Sequence, residues 1–242
     1  MNISVLDTPL TISDIELEEL EKRYLDYIAT ALRGDLKRII DSLNYRFRIF
    51  NDERKQFTQI ERMFRFFFNR IFERYASFPI EPDLTYKLDE AIIHIEIKIN
   101  VVTNTDYKGK IQLGRNQVSY GTKRFKPNLP YFYESVKVPT LTYGIQIVHE
   151  HMRPKINALN VICIPNGKLA KYYGDEILQA GKGGWYKATD IRYKYSVNPY
   201  FLLLRERDKK DIFRIEILIL DKKMSIKDIT GKNLEILPYK RI

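Results

Sequence analysis

The sequence predicts an α/β fold, a central mixed β-sheet flanked by helices with a helical N-terminal part, in a single domain spanning 1–242. Three observations carry that prediction. Apolar residues recur at helical spacing as far as Tyr75, the chain from Asp83 onward breaks into short β-rich segments, and no repeat, low-complexity tract or Gly/Ser linker divides it. At 242 residues and 44% hydrophobic, the chain is long enough to bury a full core.

Ser13 and Glu16 form a capping box ahead of IELEELEKRYLDYIATALR, whose helical spacing runs until Gly34 can close it. A second helix is expected from Asp35 to Arg48, and a third from Glu53 to Tyr75, ended by Pro79 and Pro82. The β-rich segments are 83–88, 91–102, 141–148, 159–164, 168–173, 200–205 and 212–220. Pro165, Asn166 and Gly167 read as a hairpin turn between the fourth and fifth of them. The cluster Phe64, Phe66, Phe67, Phe68 and Phe72 is expected to serve the core from its helix.

With 41 Lys and Arg against 31 Asp and Glu, the net charge of +10 suits a partner rich in phosphate. The charges are spread along the chain instead of lining one lysine-rich amphipathic helix, which favours nucleic acid over anionic membrane. No 18-residue apolar run and no apolar signal core are present, so no membrane partner is expected and the cytoplasm is the expected location. Cys163, the single cysteine, excludes an intrachain disulfide and a cysteine-clustered zinc site and reads as core. His149 and His151 lack a third His or Cys ligand at an accepted spacing.

The segment EPDLTYKLDEAIIHIEIKIN carries the chemistry. In a strand alternate residues share a face, so Ile93, Ile95, Ile97 and Ile99 point one way and His94, Glu96, Lys98 and Asn100 the other. Glu96 and Lys98 then stand side by side, roughly 7 Å apart along the strand. A hairpin through Leu88–Ala91 brings Asp83 to the same end of the sheet as Glu96. Two carboxylates and an ammonium converge there, an oxygen-donor set suited to Mg²⁺ and, with Lys98 assisting a hydroxide, to phosphodiester hydrolysis. The competing reading is a strand whose charged face is simply solvated. Six acid-x-Lys triplets occur, beginning at Asp35, Glu53, Glu96, Asp106, Asp208 and Asp221. Only the one at Glu96 lies inside an alternating aliphatic strand and follows a Pro-Asp by one strand-turn-strand length.

Pro82 and Asp83 followed by Glu96, Ile97 and Lys98 resemble the PD-(D/E)xK nuclease motif. The helix QIERMFRFFFNRIFERY resembles the active-site helix of EcoRV-like type II restriction endonucleases in the order Glu61, Arg65, Asn69, Ile71, Glu73. That resemblance implies that Glu61 joins Asp83 and Glu96 at the metal. YKGKIQLGRNQVSYG resembles the family's phosphate-touching segment at Leu113, Gly114 and Ser119, and Arg115 and Asn116 join Ser119 as expected DNA contacts. LQAGKGGWYKATDIRYKY resembles the glycine-containing recognition loop at Ala180, Gly181 and Gly183, with Gly184, Trp185 and Tyr186 where the family carries small polar residues. The resemblance implies a restriction-endonuclease-like fold: helices over 1–50 for dimerisation, a catalytic core over 53–173 and a DNA-recognition loop region over 174–195.

Apart from the resemblance, Gly181, Gly183 and Gly184 let the backbone approach a ligand closely, and Lys182 and Lys187 supply charge for phosphate. Trp185 and Tyr186 complete the expected DNA-contact loop. The reading is a type II restriction endonuclease, a homodimer that hydrolyses double-stranded DNA with Mg²⁺ at a short palindromic site, since two-fold half-sites suit two-fold subunits. Blunt ends are implied by the EcoRV-like resemblance alone. A structure-selective nuclease such as a Holliday-junction resolvase and a non-catalytic nucleic-acid-binding protein are the alternatives.

Overall fold

The computed structural model describes residues 12–50, 53–76, 83–114, 118–120, 125–127, 129–133, 137–150, 155–170, 177–180, 191–195, 213–231 and 240–241. Helix α1 (Asp14–Gly34) starts on the expected capping box: Glu16 N–H donates to Ser13 Oγ at 3.2 Å and Ser13 N–H donates to Glu16 Oε2 at 2.8 Å. Its stripe Leu17, Leu20, Tyr24, Leu25, Ile28 and Leu32 is buried. α2 (Leu36–Ile49) and α3 (Glu53–Ile71) follow. α3 buries Phe64, Phe67 and Phe68, and Phe72 is buried just beyond its end. Each such ring removed from water contributes about 1.5–3 kcal/mol. Phe66 is the exception to the expected core cluster, half exposed with the Arg38 guanidinium 5.2 Å from its ring centre.

Eleven strands are described: β1 (Leu84–Lys87), β2 (Ile92–Val101), β3 (Lys110–Leu113), β4 (Val118–Tyr120), β5 (Phe125–Pro127), β6 (Thr140–His149), β7 (Ile156–Ile164), β8 (Leu178–Ala180), β9 (Ile191–Lys194), β10 (Ile215–Leu220) and β11 (Lys240–Arg241). The central six-stranded sheet has the order β1-β2-β6-β7-β10-β11. It is mixed, with β2–β6 and β10–β11 parallel and the other pairs antiparallel. Helices α1–α3 cover one face and share a core with Ile93, Ile95, Ile97, Tyr143, Ile145, Val161 and Cys163. The opposite face is covered by a three-stranded antiparallel sheet, β3-β9-β8, and by the short α5 (Ile226–Thr230). Cys163 is buried, as expected of a core thiol.

The expected hairpin turn at Pro165–Gly167 and the part of the expected 168–173 strand up to Ala170 are corrected, while 171–173 lie outside the described residues. Gly167–Ala170 form a single helical turn, α4, because the Asn166 side chain acts as its cap, its Oδ1 accepting the N–H of Lys168 at 2.9 Å and of Leu169 at 3.3 Å. Gly167 donates its N–H to the Leu129 carbonyl at 2.6 Å, and a Cβ there would lie 2.6 Å from that oxygen, so only glycine fits. The expected strand at 200–205 lies outside the described residues. Helix α3 stops at Ile71, short of Tyr75, in a Schellman ending with Glu73 left-handed at φ 52°. No helix among the described residues is long and apolar enough to cross a membrane.

Candidate active site

The β1–β2 hairpin is closed by the Leu88 N–H donating to the Ala91 carbonyl at 2.9 Å. Its ladder pairs Leu84 with Ile95 and Thr85 with His94, so one further step sets Asp83 beside Glu96. Asp83 Oδ2 accepts the Ile97 N–H at 2.6 Å, a bond from backbone that orients the carboxylate over β2. On the same strand, the burial of Ile93, Ile95 and Ile97 toward the helices sends His94, Glu96 and Lys98 to the other face. There Lys98 Nζ donates to Glu96 Oε2 at 2.7 Å. The Glu96 side chain is only 3% exposed and Lys98 20%. That face is therefore packed, not solvated.

Glu61 approaches this group from α3. Burial, then the charge of Asp83, push its carboxyl above the ordinary value, with the Lys98 ammonium pulling partly back. Burial by itself would lower Lys98, but the carboxylates of Glu96, Asp83 and Glu61 and the hydrogen bond to Glu96 together hold it above its usual value, so it is charged at neutral pH. Hydrogen bonds and register thus bring Asp83, Glu96 and Lys98 of the sequence-expected quartet together, and Glu61 on α3 lies within electrostatic reach of Asp83 and Lys98.

Could this group hold a cation? Among the described residues no three His, Cys, Asp or Glu side chains form a ready-made cage. The donors are all hard oxygens, and the charge of Asp83 is felt at Glu61. Mg²⁺ commonly takes one or two protein carboxylates and completes its shell with water and substrate phosphate, so the residues fit it. By contrast, the groove of about 870 Å³ lined by Ile12, Glu16, Leu20, Glu90 and Pro139 surrounds the tip of the hairpin and contains none of the four.

Of the expected DNA contacts, Arg115, Asn116 and Gly181, Lys182, Gly183, Gly184, Trp185, Tyr186 and Lys187 lie outside the described residues. Ser119 sits on β4, opposite Lys126 of β5. The anchors of the two segments are described. Leu113 and Ala180 both pair with Ile191, so β3, β9 and β8 reach one edge of the second sheet at Leu113, Ile191 and Ala180. Segments 115–117 and 181–190 depart from or return to that edge.

Some neighbours were not legible in the sequence. His94 is buried and pushed down to about 4 by desolvation, hence neutral at pH 7, with its Nε2 3.3 Å from the Tyr133 hydroxyl. Gln146, in register with Lys98, donates to the Lys110 carbonyl at 2.7 Å and accepts from Asn160 at 3.0 Å and from Tyr195 at 3.1 Å. An amide inside the run Leu141 to Val148 is visible as an oddity, but its partners lie far away in sequence.

With the geometry in place, likeness to known proteins can be stated. The model of the type II restriction enzyme MwoI, N-terminal domain, matches residues 13–153, and that of the MwoI central domain matches residues 156–215. The chain is similar in fold to the tetrameric restriction endonuclease SfiI bound to cognate DNA, with a TM-score of 0.50, 17% identity and 86% of each chain covered. It also matches the restriction endonuclease BglI bound to its DNA recognition sequence, with a TM-score of 0.42, 13% identity, and 83% of this chain and 93% of that one covered. No curated protein matches the sequence. All four residues of the quartet fall within the first matched segment.

Proposed function

The chain belongs to the MwoI family of type II restriction enzymes, and from that premise we propose that it is a Mg²⁺-dependent homodimeric endonuclease with a PD-(D/E)xK site. It cuts double-stranded DNA at a short palindromic sequence through Asp83, Glu96, Lys98 and Glu61. The observation that carries this reading is the meeting of Asp83, Glu96 and Lys98, with Lys98 2.7 Å from Glu96 and Asp83 fixed by the Ile97 N–H.

Mg²⁺ held among Asp83, Glu96 and Glu61, one or two of them touching it directly, would supply positive charge that acidifies water and offsets negative charge gathering on the phosphate. The protein's own groups do the rest. Lys98, kept protonated by its carboxylate neighbours, donates to the attacking water oxygen and favours its hydroxide form. The proton that water gives up passes to solvent, its oxygen attacks phosphorus in line, the opposite P–O bond breaks, and the departing oxygen takes a proton from a second water. Asp83 is held still by backbone, so little reorganisation is needed as charge develops.

Sequence reading is assigned to residues 181–187, with Arg115, Asn116 and Ser119 on the DNA backbone. This is supported by the common edge from which both segments depart. Residues 1–50 are proposed as the dimerisation part, 53–173 as the catalytic core and 174–195 as the recognition region. The SfiI likeness is to a tetrameric enzyme, so the assembly size belongs to the test. Blunt ends follow from the EcoRV-like resemblance. Digestion of a long sequenced DNA with Mg²⁺ or with EDTA, followed by end mapping, should give discrete fragments with blunt ends at one symmetric sequence, and only with Mg²⁺. Cutting confined to branched DNA, or none by a folded protein, would sink the proposal.

A further inference from the structure

We infer that Asn69 and Tyr86 form a positioning clasp that fixes the helix carrying Glu61 against the strand carrying Asp83; the inference rests on the nuclease reading above. Asn69 closes α3 with its backbone, the carbonyl accepting the Arg74 N–H at 3.2 Å across the left-handed Glu73. Its side chain does something separate. Oδ1 accepts the N–H of Ala76 at 3.0 Å, on the chain leaving the helix, and the hydroxyl of Tyr86 at 2.9 Å, on β1. Tyr86 is fully buried, its ring 4.8 Å from that of Phe72 and 6.4 Å from that of Phe68. One amide oxygen thus ties the helix, its exit and the first strand of the hairpin.

The placement relative to the quartet gives this tie a catalytic consequence. Asn69 lies eight residues beyond Glu61 on α3, about 12 Å along the axis, and Tyr86 three residues beyond Asp83 on β1, about 10 Å along the strand. Helix and strand are two rods of similar length, pinned together at one end and carrying Glu61 and Asp83 at the other. Releasing the pin by about 5° would move Glu61 by roughly 1 Å, a displacement large enough to cost up to about 10²-fold in rate. Glu61, Arg65, Asn69 and Glu73 recur at helical spacing because one end of this row serves the site and the other serves the clasp. Arg65 takes part at 3.4 Å from the Ala76 carbonyl.

Tyr86→Phe removes the hydroxyl and keeps the packed ring, so it decides the matter whether or not Asn69→Leu folds. In the folded Tyr86→Phe protein, kcat on the mapped site should fall about 10-fold with KM and DNA affinity unchanged. In metal-free protein titrated calorimetrically with Mg²⁺ alone, binding should be weaker in Tyr86→Phe than in the parent, as Glu61 moves away from Asp83, and should not weaken further when Tyr86→Phe is added to Glu61→Gln. Asn69→Asp, which keeps an acceptor for both donors, should retain the parental values. A purely structural role would lower the melting temperature and leave kcat and the Mg²⁺ affinity alone; either of the two staying parental in Tyr86→Phe overturns the clasp. The calorimetry needs no activity, so a parental cutting rate in Lys98→Ala would sink the nuclease site separately.

Discussion

Lys98→Ala probes the proposed site on two scales, rate and stability. Its ammonium lies 2.7 Å from Glu96, in a pair whose side chains are 20% and 3% exposed. Loss of one preorganised charged donor should cut the single-turnover rate about 10²-fold or more, a barrier increase of roughly 3 kcal/mol. Sequence alone suggests that folding is indifferent to the change, since Lys98 stands on the polar face of a strand. The burial of Glu96 overturns that expectation, because the substitution deprives a desolvated carboxylate of the cation it touches. Breaking a fully buried pair costs about 3–5 kcal/mol; with a fifth of Lys98 open to water, a loss of about 1–3 kcal/mol is expected. The sign with pH follows. Lys98 is raised in the fold, so its stabilising contribution is complete throughout the acidic and neutral range and is lost only as pH rises through its folded value. The variant's deficit should therefore be full at pH 7.5 and at pH 5 alike, and shrink only as pH rises into the alkaline range. Cleavage of the mapped site and urea unfolding at pH 7.5 and 5 measure both. Cutting at the parental rate refutes the catalytic role, and an unchanged urea midpoint at pH 7.5 refutes the account of Glu96.

Glu61→Gln should reduce cleavage far more than DNA binding, because a carboxylate near the metal acts mainly in the transition state; equal losses would count against it. Since Glu61 is raised in the fold, its ionised form opposes folding above the ordinary carboxyl range, so the variant should melt higher than the parent at neutral pH, the gain vanishing as pH falls below that range. Replacing 181–187 with Gly and Ser of equal length should leave weak, salt-sensitive DNA binding without discrimination, and a parental fragment pattern would place the reader elsewhere. Arg214→Met leaves the Glu21 carboxyl, now 2.7 Å from the guanidinium and fully buried, without its cation, and should cost about 3–5 kcal/mol in urea unfolding. Adding Glu21→Leu should recover most of that loss, and no recovery would show that the pair is not the cause.

How legible the site was depends on how local each contact is. Glu96 beside Lys98 follows from period-two alternation among four isoleucines and needs no tertiary knowledge. Asp83 beside Glu96 needs only the register set by the short turn after Leu88. Glu61 is different, for its approach depends on the angle at which α3 packs its phenylalanines over the hairpin, and the family resemblance alone suggested it. The packing of the polar face was invisible for the same reason. Its cover is a sheet of strands three or four residues long, pairing Ile111 with Tyr193 across about a third of the chain, and such strands carry little periodicity to read. At 165–170 the turn composition was read rightly as a reversal and wrongly as a hairpin, because Asn166 satisfies the two amides that begin a helical turn.

That cover also restricts where DNA can enter on the proposed reading. Along β2, residues are buried up to Ile97 and half-buried from Lys98 onward. Gly144, in register with Glu96, lets the Ile111 side chain of the second sheet come so close that a Cβ there would lie 2.2 Å from its Cδ1. The Glu96 row is thus sealed on the β6 side, and phosphate must arrive from the Lys98 end of the strand, passing Glu61 on α3. The sheet that makes the seal is also the one from whose Leu113–Ile191–Ala180 edge the expected phosphate-contact and recognition segments depart. Ile111, two residues before Leu113 on β3, packs at the catalytic strand's neighbour, so a shift of this sheet on binding DNA would be felt within one strand of Glu96. On the proposed reading, the second sheet therefore stands between the expected recognition segments and the strand beside Glu96.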